Sequence, residues 1–284
     1  MTTQLGYDVF ISEPIPQDAA EKVPNGDRVM SSPLSHTLIY GTHDAVLTDP
    51  PLTTDQVTTD QAKAVGDWLQ SRDKNLTRIF ITHGHGDHWF TAGLLADRFD
   101  AQIIATPGTI EQMHRNVALR DALFDKLFPG QIPETPVAAV ASTDSRVDLE
   151  GHSLDIVEVG HTDTDDASVL HAPDLDLVVT GDAVYNGVHQ YLAESANGGR
   201  DKWRSAIDVV EGRNPRWIVA GHKNKTLDDD AVRAIAESRH YLDSVDELIS
   251  QCDTVLGFFH AMLERYPERL NAGALWMSAV ALYP

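Results

Sequence analysis

Six consecutive residues, His83-Gly84-His85-Gly86-Asp87-His88, directly follow the apolar run Arg78-Ile79-Phe80-Ile81-Thr82. Imidazole is the commonest side-chain metal ligand, and a neighbouring carboxylate suits a divalent cation such as zinc. Positions 83 and 85 face the same way on extended chain and can share one cation. Asp87 and His88 come after Gly86, where the chain can turn toward a second, and the two glycines free the backbone for so tight a loop. A catalytic or structural zinc needs at least three protein ligands in space. The chain must therefore fold so that later segments return to this strand end. The plainer alternative is a chance surface patch of histidines.

Three later segments share one pattern. Leu154-Asp155-Ile156-Val157-Glu158-Val159 alternates like a strand and stops at Gly160-His161-Thr162. Leu175-Asp176-Leu177-Val178-Val179-Thr180 stops at Gly181-Asp182, and the short buried-type run Trp217-Ile218-Val219-Ala220 stops at Gly221-His222. In each case a β-rich run ends, a glycine follows, and a histidine or aspartate comes next. Loops at strand ends are where functional groups concentrate. Singly, each Gly-His or Gly-Asp reads as a turn; three of them beside the histidine cluster read as a site.

This combination resembles the metallo-β-lactamase-fold hydrolases, over about Ser35 to His222. The resemblance implies an α/β chain folded as an αββα sandwich, with two mixed sheets face to face and the site at one edge. It implies two zinc ions per chain: the first on His83, His85 and His161, the second on Asp87, His88 and His222, with Asp182 bridging them. His85, where flavodiiron relatives carry Glu, favours zinc over a di-iron redox centre. The sole cysteine, Cys252, lies far from the position where the commonest β-lactamases of this fold place one, which disfavours antibiotic hydrolysis. Nothing between Asp182 and His222 looks like the extra domain of the nuclease branch. The family often reads Gly-His-Thr-Pro-Gly where this chain reads Gly160-His161-Thr162-Asp163-Thr164-Asp165-Asp166. A solvated acidic loop is the expectation there, with partners for the ligands as the alternative.

Two divalent cations can hold one hydroxide between them, a nucleophile at neutral pH, while one of them polarises a scissile carbonyl. The expected activity is hydrolysis of an ester, lactone or thioester of a small, fairly apolar molecule, as in lactonases and glyoxalase II-like thioesterases. Asp87 is expected to orient the nucleophile and pass a proton to the leaving group. By resemblance to lactonases, Tyr185 is expected to donate to the substrate carbonyl; a buried core tyrosine is the alternative. Asp49, at the end of Ala45-Val46-Leu47-Thr48, is expected to hold a metal-binding histidine. His189 and Tyr191 read as pocket or interface residues. The competing readings are a mononuclear iron oxygenase of the same fold, similar to sulfur dioxygenases, and a non-catalytic zinc-binding protein.

Residues 1–226 read as the hydrolase domain, with a helical lid at about 107–140, and 227–284 as a C-terminal helical extension packed on or near the active site. Thr109 to Phe128 reads as one amphipathic helix, Trp89 to Phe99 as another, and Thr226 to about Ser250 as a third. A fourth runs from Asp253 to Tyr266. The uncharged tail from Asn271 is too short to span a membrane and reads as a docking segment, with a homodimer through the C-terminal helices as one use of it. A net charge of −21, from 22 basic and 43 acidic residues, argues against nucleic acid and anionic membrane as partners. One cysteine excludes an internal disulfide and fits a reducing cytoplasm. Met1 to Asp8 carries no secretion-signal pattern. Lys223 and Lys225 read as a solvated loop or a small anion-attracting patch.

Overall fold

A computed structural model describes residues 4–18, 22–54 and 60–283. The start of the N-terminal stretch, Met1 to Thr3, lies outside the described residues, as does Pro284. One six-stranded sheet contains, in spatial order, β1 (Gly6–Ser12), β2 (Leu34–Tyr40), β3 (Asp44–Thr48), β4 (Asn75–Phe80), β5 (Gln102–Ala105) and β6 (Val140–Ala141). Its first three strands pair antiparallel and the rest parallel. A second, five-stranded sheet runs in the spatial order β11 (Trp217–Ala220), β10 (Leu177–Gly181), β9 (Ala167–Ala172), β8 (His152–Gly160) and β7 (Arg146–Leu149). Only β10 and β11 pair parallel there.

Alternation along the strands builds the layers. Ile39, Val46 and Phe80 point inward from the first sheet and meet Leu170, Val179 and Val219 of the second. Their neighbours Leu38, Leu47 and Ile79 point outward onto the helices α1 (Gln61–Ser71), α2 (Ala92–Phe99) and α3 (Pro107–Leu119). On the far side Val169, Val178 and Ile218 pack against α5 (Gly199–Glu211) and α6 (Ala231–Gln251), separated from α3 in the chain by the short α4 (Phe124–Leu127). The result is the expected four-layer αββα sandwich. Strands covered on both faces read as continuous apolar runs, which is why β4, β10 and β11 are plain in the sequence. Beyond α6 come α7 (Val255–Arg265) and α8 (Ala272–Leu282). Among the described residues, no helix is long and apolar enough to cross a membrane.

Three helices depart from expectation. The helix expected over 109–128 is broken: α3 stops at Leu119, a 3₁₀ turn covers Arg120–Ala122, and α4 follows. Met113 faces the core, but Leu119 and Leu123 face a cavity, so no single apolar stripe holds the segment straight. The helix expected from Trp89 starts at Ala92, because the Trp89 indole turns back to donate to the Gly84 carbonyl. The helix expected from Thr226 starts at Ala231, because Asp229 first accepts a strand-like hydrogen bond from Ile218 N and Asp230 then caps the helix at Arg233 N.

Candidate metal centre

The histidine loop leaves the end of β4 and closes into a 3₁₀ turn over Gly86–His88. Gly84 is required where it stands: a Cβ there would collide with Gln112 Cβ and with the backbone of α3. From the opposite sheet, β10 ends at Gly181, in left-handed backbone (φ 49°), and delivers Asp182. The end of β11 delivers His222, whose residue forms a bridge with Leu34.

Three groups of donor atoms converge: His83 with His88 and Asp182, His83 with His85 and Asp163, and Asp87 with His88 and His222. His88 Nε2 stands 3.4 Å from Asp182 Oδ1, and His222 Nε2 stands 3.1 Å from Asp182 Oδ2 and 3.6 Å from Asp87 Oδ2. Asp182 thus lies between the two ends of the cluster. His85 Nδ1 is 2.7 Å and His83 Nε2 3.6 Å from Asp163 Oδ2.

The other nitrogen of each ring is held from outside. His83 Nδ1 meets Thr82 Oγ1 at 3.0 Å, His85 Nε2 meets Glu194 at 2.9 Å, and His222 Nδ1 donates to the Pro33 carbonyl at 3.0 Å. His88 Nδ1 meets Asp49 Oδ2 at 3.3 Å, while Asp49 also accepts from Thr82 N and Thr82 Oγ1. Asp49 itself sits in left-handed backbone (φ 50°), a conformation rare for non-glycine residues. Such outer partners fix the tautomer and aim the free nitrogen.

What the rings aim at is open to a cation. His83 Nε2, His88 Nε2, Asp163 Oδ2 and Asp182 Oδ1 are buried without a hydrogen-bond partner. Four orphaned donor-type atoms facing one another are costly unless something positive lies among them, so the residues fit divalent cations. The protonation pattern agrees. Burial opposes charge on His88, yet Asp182 and Asp87 outweigh it and push its pKa up to about 10. Burial likewise works against ionised Asp182, and His222 and His88 hold it well below the usual carboxylate range all the same. His83 goes the other way, held below the usual imidazole value by burial and by His88, while His85 and His222 are raised like His88, so the ionised carboxylates are matched by positive charge on only part of the cluster.

Two expected residues are placed elsewhere. His161 is not in the cluster: its Nδ1 meets Asp165 at 2.7 Å and its Nε2 meets Ser195 Oγ at 3.1 Å. Tyr185 is fully buried and does not line the cavity; its hydroxyl donates to Asp182 Oδ2, and burial followed by that carboxylate keeps its pKa well above the usual tyrosine value. His189 is also buried, its Nδ1 3.0 Å from the Tyr241 hydroxyl. Glu194 is the residue that the sequence does not point to, and Asp163, expected in a solvated acidic loop with a partner role as the alternative, is buried at the cluster. Asp163 hides in what reads as an acidic loop, and nothing in the sequence around Glu194 marks it.

The cluster opens on a cavity of about 170 Å³. Asp87, His222 and Tyr191 border its polar end, and Leu119, Leu123, Phe124 and Phe128 form one wall. Ala274 and Met277 of α8 also line it, with the polar Ser31, Ser32, Asn116 and Asn271. No lysine or arginine is among the described residues that line it. Lys223 is buried against Asp229, and Lys225 pairs with Glu13 at 2.5 Å, so neither reaches the cavity.

The family model of the metallo-beta-lactamase superfamily matches residues 35–222, a span that begins on β2 and ends on the last histidine of the cluster. Among solved structures, a metallo-beta-lactamase family protein from Thermus thermophilus superposes with a TM-score of 0.65 at 15% identity, covering 96% of this chain and 91% of its own. A beta-lactamase domain protein from Burkholderia ambifaria gives a TM-score of 0.61 at 15% identity, covering 97% of this chain and 88% of its own. A metallo-beta-lactamase from Pseudomonas aeruginosa, solved in a mono-zinc form, gives 0.57 at 13%, with 85% and 94% covered. At these identities the likeness is one of fold. No curated protein sequence matches the chain.

Proposed function

The chain belongs to the metallo-beta-lactamase superfamily, and from that premise we propose that it is a metal-dependent hydrolase of an ester, lactone or thioester whose acyl part is uncharged and largely apolar. One observation carries the reading: a cluster with orphaned, buried donor atoms on His83, His88, Asp163 and Asp182 opens on a cavity where Leu119, Leu123, Phe124 and Phe128 stand beside Ser31, Ser32, Asn116 and Asn271. Two zinc ions are the cofactors proposed. Bound there, divalent cations supply a water acidic enough to attack at neutral pH and a Lewis acid for the carbonyl oxygen.

The chain's own residues do the rest. Leu119, Leu123, Phe124 and Phe128 take up the acyl group and exclude water, which strengthens every polar interaction at the reacting carbon. Asp87 is partly exposed, borders the cavity, and lies 3.6 Å from His222 Nε2. It is the residue placed to accept a proton as attack proceeds and return it to the leaving oxygen or sulfur. Asp182 and the four rings stay fixed, each locked by an outer partner, so little reorganisation is needed in the transition state. Among the described residues no lysine or arginine lines the cavity, so apart from the bound cations nothing positive there favours a substrate carboxylate or phosphate.

The test is elemental analysis followed by a neutral panel of esters, lactones and thioesters. About two divalent cations per chain are expected, with turnover lost on chelation and regained on reloading. A fully loaded protein inert across the panel would overturn the reading. A single iron per chain with oxygen uptake would move it to the oxygenase alternative.

A further inference from the structure

We propose that Asp163, not His161, is the third protein ligand of the cation held by His83 and His85. The inference rests on the reading that the cluster binds cations, and adds which residue completes it. Asp163 is fully buried. One of its oxygens accepts from Thr162 Oγ1 at 2.8 Å. The other, Oδ2, has no hydrogen-bond partner, although it lies 2.7 Å from His85 Nδ1 and 3.6 Å from His83 Nε2. His83 Nε2 is equally orphaned. Three donor atoms of the types a divalent cation takes therefore lie together, two of them orphaned.

The loop explains the exchange. Residues two apart on extended chain face the same side, but here the backbone turns sharply, with Thr162 N donating to Thr164 O at 2.8 Å. Asp163 is thereby turned into the cluster and His161 toward Asp165 and Ser195. His161 is then fastened on both nitrogens, by Asp165 and by Ser195 Oγ, which itself donates to the Thr162 carbonyl at 2.8 Å. Its ring also fills the space beside the start of α5, where a Cβ on Gly199 would stand 2.8 Å from Nε2. His161 is a latch on the loop rather than a donor to the cluster. At the far end, Ser168 N and Ser168 Oγ both donate to the Thr82 carbonyl, tying the loop to the residue before His83.

The consequence is chemical. A carboxylate in place of an imidazole adds a full negative charge and a hard oxygen donor at the first position, which softens the Lewis acidity there and favours harder ions relative to a three-histidine site.

The experiment uses the full chain, stripped with chelator and reloaded with Co(II), in four forms: wild type, Asp163→Asn, Asp163→His and His161→Gln. Bound cobalt per chain, the ligand-field absorption bands and affinity in competition with a chelating dye are read, with circular dichroism as a check on folding. His161→Gln should keep both ions with affinity within about threefold of wild type. Asp163→Asn should lose one ion or bind it at least about tenfold more weakly. Asp163→His should recover binding with shifted bands, since nitrogen replaces oxygen. Loss of an ion in His161→Gln, with Asp163→Asn unaffected, would overturn the assignment. Should His161→Gln fail to fold, Asp165→Asn releases the same ring more gently and must likewise retain both ions. Wild type that binds no cobalt would instead bring down the metal-centre reading itself, together with this assignment.

Discussion

Tyr185 lies behind the cluster, not in front of it. Its hydroxyl donates to Asp182 Oδ2, and its ring lies tilted with its centroid 5.3 Å from that of His222, so it positions the carboxylate of the cluster from behind. Tyr185→Phe should therefore weaken cation binding by about tenfold to a hundredfold and leave KM for a neutral ester unchanged. A raised KM with intact affinity would place the hydroxyl on the substrate instead. His189 makes a second residue-scale prediction. Burial, with Arg269 adding to it, lowers its pKa to about 3. A folded pKa below the unfolded one means that the unfolded chain binds the extra proton first. The contribution is full above pH about 6.5 and is lost as pH falls toward 3, with a slope approaching about 1.4 kcal/mol per unit in between. Urea unfolding at pH 7.5 and 5 should show this loss in wild type and a smaller one in His189→Gln. At this scale the sequence marks His83, His85, Asp87, His88, Asp182 and His222, all of which the fold brings together. It does not show which of His161 and Asp163 turns inward, because that depends on one hydrogen bond across a turn.

Strand ends decide the site at the scale of elements. Gly221 closes β11 so tightly against its neighbours that a Cβ there would stand 2.5 Å from Asp182 Oδ1 and 2.8 Å from His88 Cε1. Gly221→Ala should fold, with Tm lowered by a few degrees, and should bind at least one ion fewer by elemental analysis; full loading would mean the strand end can retreat. β4, β10 and β11 are legible in the sequence because both their faces are buried. β5, β6 and β9 are not, since runs of two to six residues hold too few alternations to set a period. α5 does carry a helical spacing, Trp203, Ala206, Ile207 and Val210, but it is hidden among charged residues. The break between α3 and α4 is illegible for a different reason: its leucines serve a cavity, and apolar residues that line a cavity look in sequence like residues that fill a core.

Over the whole molecule, the net charge of −21 exceeds what two bound divalent cations would offset, so the long-range field stays negative. An anionic ester should gain in kcat/KM as ionic strength rises, because salt screens its repulsion, whereas a neutral ester of the same shape should not respond. Equal salt dependence for the two would mean that approach is not governed by this field. The cluster also straddles the sandwich. His83 to His88 come from the end of the first sheet and Asp182 and His222 from the end of the second, beside the cross-sheet bonds Ser35 N to Gly221 O and Ser168 N to Thr82 O. Ions held there would rivet one half of the molecule to the other, each adding on the order of 2.7 kcal/mol at a hundredfold excess over its Kd. Stripped of metal, the halves should loosen independently: calorimetry would record a broadened melt whose measured enthalpy exceeds its van't Hoff value, and amide exchange would quicken along β10 and β11 before it does along β2 and β3.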